Sequence, residues 1–192
     1  MKFKFSLILI ASMTALNGCQ TISKVTSKAG SLVGIEATNT KIPEIDKKGV
    51  VDISKTSYEQ LQKLTLNMPK GQWIYIEDEK QGIFKLQNKS EDENILSLKL
   101  ICKIETQQPT FDIQDQNGKV ILTGLDSQSG HTQFLLDNKN YGNPFNEVKS
   151  DKLDVFKSKL QTTQIIKIFN SGKLYTFNND KNELLLNPVT CS

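Results

Sequence analysis

The sequence predicts a mainly β domain, an antiparallel β-sandwich or curled sheet with one or two short helices. Three observations lead to this fold class. Apolar residues recur at every second position after residue 73, which is the period of a half-buried strand. Turn signals such as Asn117-Gly118 and Asn170-Ser171-Gly172 separate these stretches. The three- to four-residue spacing of a helix is clearest in a single stretch, at residues 150–160.

The first two strands are Trp73 to Ile76 and Gly82 to Leu86, joined by a polar loop. The strongest strand of the chain follows over residues 96–105. Its apolar residues alternate with polar ones, so one face is expected to be buried. That buried set comprises Leu96, Leu98, Leu100, Cys102 and Ile104.

A hairpin is predicted next, in which residues 111–114 pair with residues 120–123. Its turn at Asn117-Gly118 favours type I′, because both residues tolerate a positive φ. A further strand is expected from His131 to Leu136. The segment from Asn138 to Pro144 is predicted to be a loop, since Gly142 and Pro144 disfavour regular structure.

The best helix candidate begins at Ser150, a capping residue, and carries Leu153, Phe156 and Leu160 on one stripe. We expect that stripe to lie against the sheet. A second helix is possible over residues 57–66, where the apolar spacing fits either period. The final hairpin is predicted from residues 163–169 and 173–177.

The chain is predicted to divide into three parts by composition: a signal peptide at residues 1–18, a flexible tether at 19–49 and a single β-rich domain at 50–192. The tether is rich in Ser, Thr, Lys and Gly and shows no sustained period. Thirty such residues have a root-mean-square reach of about 30 Å. The remaining segment has the length of one ordinary domain.

Residues 1–19 have the pattern of an export signal. Lys2 and Lys4 form a basic start, residues 5–16 are mainly apolar, and Leu16-Asn17-Gly18 leads into Cys19. The apolar run is shorter than the roughly 20 residues of a membrane span. The last four residues resemble the lipobox of bacterial lipoproteins. This resemblance implies cleavage before Cys19 and acyl chains on Cys19; the alternative is an ordinary cleaved signal.

The resemblance also implies a location. Two or three acyl chains hold a protein firmly on a bilayer, whereas one chain binds only marginally. Lipoproteins with an aspartate after the modified cysteine are often retained in the inner membrane, and this chain has Gln20 there. We therefore expect an outer-membrane lipid anchor, with the domain on the periplasmic side of the cell envelope.

Charge argues against a nucleic-acid partner. Removal of the signal with Lys2 and Lys4 lowers the formal net charge from +3 to +1. Proteins that bind nucleic acid draw most of their affinity from basic residues that neutralise phosphates. All 24 basic residues are lysine, so the bidentate arginine fork for phosphate is missing as well.

Two cysteines remain besides Cys19, and an exported protein resides where disulfides persist. The simplest pairing joins Cys102 to Cys191 and closes a loop of roughly 90 residues, credited with about 4–5 kcal/mol in the chain-entropy model. The alternative is two buried free thiols. The two residues are too far apart in sequence for a Cys-x-x-Cys redox pair.

The sequence offers little chemistry. His131 is the only histidine, and a triad with Asp126 and Ser127 or Ser129 is less plausible than a polar loop, because the Gly-x-Ser-x-Gly spacing of a hydrolase elbow is missing. Asp115-Gln116-Asn117-Gly118 matches part of an EF-hand loop but lacks its first and twelfth ligands. We predict no catalytic, cofactor-binding or metal-ligating residue and no cofactor.

The favoured function is a non-enzymatic protein-binding or accessory module that contacts an envelope or secreted protein. A strand edge or the loop from Asn138 to Phe145 would form the contact. An immunity protein against a periplasm-acting toxin is the sharpest version, by analogy with small tethered domains. The alternatives are a structural component of an envelope assembly and a hydrolase of envelope lipid or glycan with His131 as its base.

Aromatic residues provide one more candidate for a contact surface. Trp73 and Tyr75 alternate on one strand, and Tyr141 and Phe145 lie in the predicted loop. Aromatic side chains are enriched at protein interfaces, but they also dominate cores. For Trp73 and Tyr75 we favour packing in the core.

Overall fold

The computed structural model describes residues 41–124, 131–146 and 151–191. Within these residues the chain forms two β-sheets and two α-helices, and the predicted fold class is confirmed. Cys19 and residues 1–40, which include most of the predicted tether, lie outside the described part. Ile42 and Ile45, at the beginning of the described chain, pack against apolar side chains of the domain.

The larger sheet has six strands that lie side by side in chain order. They are β1 Val50–Asp52, β2 Trp73–Asp78, β3 Ile83–Lys89, β4 Ile95–Lys99, β5 Thr110–Gln114 and β6 Val120–Thr123. All neighbours are antiparallel except β1 and β2, which run parallel. A parallel pair needs a crossover connection, and helix α1 (Tyr58–Asn67) provides it.

Helix α1 confirms the second predicted helix. Ser57 caps it: the Ser57 side chain accepts a hydrogen bond from the Gln60 N–H, and the Gln60 side chain accepts one from the Ser57 N–H. Leu64 is buried on the inner side of the helix, whereas Tyr58 is 75% exposed. The helical period therefore prevails over the two-residue period in this stretch.

The smaller sheet has four antiparallel strands, β7 Gln133–Leu136, β8 Lys139–Asn140, β9 Ile165–Asn170 and β10 Lys173–Asn178. They lie in the order β10-β9-β7-β8. Helix α2 (Asp151–Leu160) connects β8 to β9, and a 3₁₀ helix (Asn182–Leu186) follows β10. The predicted cap of α2, Ser150, lies outside the described residues.

The six-stranded sheet buries apolar side chains on both faces. Trp73 and Tyr75 of β2 belong to the main core, and Ile74 and Ile76 between them belong to a second cluster with Leu64 of α1. Alternate residues of a strand point to opposite faces, so β2 is apolar on both sides because both sides are covered. The favoured core packing of Trp73 and Tyr75 is confirmed.

The main core lies between the two sheets and α2. Its centre is a group of rings: the Phe111 and Phe134 centroids are 4.8 Å apart, and the Phe134 and Phe156 centroids 5.2 Å. Both pairs meet edge to face, a favoured geometry for aromatic rings. Tyr141 and Phe145 are half-buried and pack against this group. They contribute to the core rather than forming a separate aromatic contact surface.

The predicted strand over residues 96–105 is too long. Strand β4 ends at Lys99, Cys102 is only half-buried, and Ile104 is 55% exposed. In the sequence, the apolar alternation of Leu96, Leu98 and Leu100 continues through Cys102 and Ile104. In the fold the chain leaves the sheet after Leu100, where a distant segment, residues 188–191, packs beside it.

The hairpin of β5 and β6 is confirmed, but its turn is not type I′. Gly118 has a φ of +77°, whereas Asn117 is not among the positive-φ residues. The Asp115 carboxylate accepts hydrogen bonds from the N–H groups of Asn117 and Lys119, which stabilises a longer turn. Two other hairpins have two central residues with positive φ, as type I′ requires: Asp137-Asn138 and Ser171-Gly172.

The predicted loop from Asn138 to Pro144 contains a short strand. Lys139 and Asn140 form β8, which pairs with Leu136 and Leu135 of β7. The tight turn at Asp137-Asn138 returns the chain directly onto β7, and this pairing precedes Gly142. The prediction of an irregular segment therefore holds only beyond Asn140.

A polar contact connects α1 with the turn between β3 and β4. Lys89 is buried; its Nζ donates to the Leu66 carbonyl oxygen at 2.8 Å and forms an ion pair with Glu93. Lys70 forms a second ion pair with Glu93. Hydrogen bonds from Lys70 and then from Lys89 lower the pKa of Glu93 below its ordinary value.

We predict that Glu93 makes stability depend on pH on the acid side. Because its pKa is lowered in the folded state, the stabilisation is complete above the unfolded-state pKa of about 4.3 and is lost as pH falls through the lowered value. Glu93→Gln should therefore lower the urea midpoint at pH 7 and differ less from the wild type at pH 3. Glu59→Gln, on the exposed Glu59–Lys63 pair, is the control. If the urea midpoints of Glu93→Gln and the wild type differ by the same amount at pH 7 and pH 3, the prediction is wrong.

Candidate functional site

Residues 188–191, named the strap here, lie between β3 and the chain that leaves β4. On one side the Val189 N–H donates to the Ile101 carbonyl oxygen, and the Lys103 N–H donates to the Val189 carbonyl oxygen. On the other side the Thr190 N–H donates to the Phe84 carbonyl oxygen, and the Phe84 N–H donates to Thr190 Oγ1. The strap therefore takes the place next to β3 that β4 would otherwise occupy.

A disulfide holds the strap in place. It joins Cys102 to Cys191 across 89 positions of sequence, with the two Cα atoms 5.4 Å apart, as the sequence predicted. Cys191 is fully buried. The Tyr75 hydroxyl adds a hydrogen bond of 2.7 Å to the Pro188 carbonyl oxygen. Burial raises the pKa of Tyr75, and the nearby Glu77 carboxylate raises it further, so this phenol stays a neutral donor.

A groove opens where β3 and β4 separate, and we call it the β3–β4 groove. The two strands pair only between residues 87–89 and 95–97. Beyond that point lies a concavity of about 300 Å³. Its lining comprises Ile83, Phe84, Lys85, Leu86, Gln87, Ser97, Leu98, Lys99, Asp112, Gln114 and Thr190. The strap thus forms part of the groove wall through Thr190.

Polar side chains of β3, β4 and β5 give the groove its chemistry. Lys99 Nζ lies 3.7 Å from Asp112 Oδ2, and Gln114 Nε2 donates to Asp112 Oδ1 at 2.9 Å. Gln87 Nε2 donates to Ser97 Oγ at 3.2 Å, and both of these residues are buried. The groove therefore presents hydrogen-bond donors and acceptors in a partly enclosed space, an arrangement suited to binding.

An apolar surface lies on the outer face of the smaller sheet, and we call it the edge patch. It consists of Ile165, Phe169 and Leu174, which are 37%, 38% and 54% exposed. Phe169 and Leu174 are directly paired across β9 and β10. Strand β10 is one of the two edge strands of its sheet. Exposed apolar groups at a sheet edge are typical of sites where another chain pairs.

Of the residues considered for catalysis, the structure describes only His131. His131 is exposed just before β7, and Asp126, Ser127 and Ser129 lie outside the described residues. The hydrolase hypothesis therefore stays a hypothesis. In residues 41–124, 131–146 and 151–191, His, Cys, Asp and Glu side chains form no group of three that could hold a metal ion. No helix in this part of the chain is long and apolar enough to cross a membrane.

Sequence reasoning missed the groove residues. The signal was present in the same alternation that identified the strands: Gln87, Ser97 and Asp112 occupy the positions between the core residues of β3, β4 and β5. Their register places them side by side, as Gln87 pairs with Ser97 and Ser97 with Asp112. What the sequence lacks is any sign that β3 and β4 separate beside them.

Comparison with known proteins gives one match. The model of a family described as YfjT matches residues 71–184, from the residues before β2 to the 3₁₀ helix. The matched range includes most of the groove lining and the whole edge patch, and it ends before the strap. No curated protein and no solved structure matches the chain.

Proposed function

The chain belongs to the YfjT family, and we propose that it is a lipid-anchored envelope protein that binds another protein without catalysing a reaction. Cys19 carries the acyl chains, at the periplasmic side of the outer membrane. The domain that follows contacts an envelope or secreted protein through its edge patch. An immunity protein against a periplasm-acting toxin is the most specific form of this proposal.

The anchor is supported by the sequence and by one structural feature. Leu16-Asn17-Gly18-Cys19 follows a short apolar run, as in a lipobox. The Cys102–Cys191 disulfide agrees with an oxidising compartment, where such bonds form and persist. With these two cysteines paired, Cys19 is the one remaining cysteine of the chain and is available for acylation.

The edge patch is the observation that carries the binding proposal. Strand β10 has β9 as its neighbour in the sheet order, and its other side faces away from the sheet. A partner strand placed there would gain main-chain hydrogen bonds as well as contact with Phe169 and Leu174. Lys167 lies between Ile165 and Phe169 on the same face of β9 and favours a partner with acidic residues around the contact.

A crosslinking pull-down from the native envelope tests both parts of the proposal. Mass spectrometry identifies the partners and the state of the Cys19 peptide. We expect one dominant partner with the wild type, its loss with Leu174→Asp, and retention with Leu186→Asp. Leu174 and Leu186 are matched in residue type and are both 54% exposed. Circular dichroism verifies that both variants are folded.

The possible outcomes separate the parts of the proposal. A partner that persists with Leu174→Asp contradicts the edge patch, and an unmodified Cys19 peptide contradicts the anchor. Size-exclusion chromatography of detergent extracts distinguishes the alternative, since a structural component of an envelope assembly would elute entirely in a stoichiometric complex. If neither the pull-down nor size-exclusion chromatography reveals a partner, the protein is not a binding module.

A further inference from the structure

The β3–β4 groove has the shape of a site for an extended chain. One wall follows β3 from Ile83 to Gln87, a distance of about 13 Å at the rise of a β-strand. The opposite wall is formed by Ser97 to Lys99 of β4. A volume of about 300 Å³ spread along such a wall makes a narrow trench, and it lies at the lower end of the range for ligand pockets.

The polar lining is concentrated on one side of the sheet. Further along the same face, the side chains of Ile74, Ile76 and Ile95 are apolar and lie in the cluster that includes Leu64 of α1. Beyond this cluster the face becomes polar. Gln87 and Ser97 are both buried there, and a single hydrogen bond joins their side chains. A glutamine amide can form up to four hydrogen bonds, so it retains capacity for a ligand.

The charges of the lining favour an anion. Two lysines, Lys85 and Lys99, line the groove together with one carboxylate, Asp112. Lys99 is partly neutralised by Asp112 at 3.7 Å. Lys85 is exposed and forms no ion pair within the part of the chain that the structure describes. One lysine is thus available for an incoming carboxylate.

We propose that the β3–β4 groove binds an extended peptide segment that carries carboxylate side chains. Lys85 contacts a carboxylate, and the amides of Gln87 and Gln114 donate to or accept from the peptide backbone. Asp112 competes with the ligand for Lys99. This site lies on the six-stranded sheet and needs neither the acyl anchor nor the edge patch, so it can be tested separately from the proposed function.

Nuclear magnetic resonance titration of the purified full chain provides the test. The probe is a triglutamate peptide with blocked ends, compared with blocked trilysine and with acetate at the same carboxylate concentration. We expect triglutamate to shift the amide signals of Gln87, Ser97 and Gln114 in a saturable manner. Trilysine should leave them in place, and acetate should shift them only weakly, which distinguishes a peptide site from a site for free carboxylates.

Two variants with opposite expected effects make the test specific. Lys85→Gln should weaken triglutamate binding about two- to fivefold, as expected for one exposed ion pair, whereas Asp112→Asn should strengthen it by a similar factor because Lys99 is released. Lys119→Gln and Asp154→Asn make the same charge changes outside the groove and should leave affinity within twofold. The proposal would be overturned if triglutamate caused no shifts, if the shifts did not saturate, or if they were spread over surface lysines. Equal effects of the groove variants and the control variants on affinity would overturn it as well.

Discussion

Replacing Asn179 by leucine is expected to lower the free energy of unfolding by about 3–5 kcal/mol. The Asn179 side chain is buried and fully used: its Oδ1 accepts from Trp73 Nε1 at 2.6 Å, and its Nδ2 donates to the carbonyl oxygens of Leu160 and Thr163 at 2.7 Å each. It thereby joins β2 to the end of α2. Leucine has a similar volume but would leave an indole N–H and two carbonyl groups buried without these bonds.

Urea unfolding followed by tryptophan fluorescence measures this effect, because Trp73 is the only tryptophan and is fully buried. Asn182→Leu is the matched control. Asn182 is less buried and makes one side-chain hydrogen bond, to the Gln161 carbonyl oxygen, so its loss should cost less than about 1 kcal/mol. Equal urea midpoints for the two variants would contradict the prediction, because the three hydrogen bonds of Asn179 would then stabilise the fold no more than the single exposed bond of Asn182.

Removal of the disulfide by the double substitution Cys102→Ala and Cys191→Ala should cost about 2–5 kcal/mol. The bond closes a loop of 89 positions and holds Val189 and Thr190 in the gap beside β3. Loss of the disulfide increases the conformational entropy of the unfolded chain, and it also weakens the attachment of the strap to the folded domain. We expect a lower urea midpoint, with amide exchange accelerated first at Phe84 and Lys103, whose N–H groups donate to the strap.

The wild type in a strong reductant should unfold at the same midpoint as the double variant. If the double variant is as stable as the untreated wild type, the two cysteines are not bonded in the purified protein, which was the alternative left open by the sequence. A reduced wild type that stays as stable as the oxidised one would lead to the same conclusion.

Strands with one buried face could be predicted from the sequence because burial imposes a two-residue period. This holds for β3, β5, β9 and β10, whose positions follow from alternation and turn residues. Strand β2 is covered on both faces and was indicated by its apolar run beside a polar loop. Strands β1 and β8 were missed, since three and two residues are too few to show a period. Helix α2 was found because Leu153, Phe156 and Leu160 all face the core.

The groove could not be predicted because it depends on contacts between distant parts of the chain. Alternation predicts that β4 continues to Glu105, and nothing local indicates that the strap displaces it. The pairing of Cys102 with Cys191 was the one long-range contact that the sequence revealed, and it followed from counting cysteines. The partners of Asn179 were likewise invisible, because Trp73 lies 106 positions away.

The strap also has a consequence for the order in which the domain is made. The hairpins β5–β6 and β9–β10 join residues close in sequence and can form as soon as they are synthesised. The neighbour of Phe84, by contrast, is Thr190, 106 positions later. Until that residue has been added, the side of β3 that receives the strap stays uncovered, and an uncovered strand edge is where chains aggregate. A chain truncated before Pro188 would keep its local hairpins and be retained in this vulnerable state.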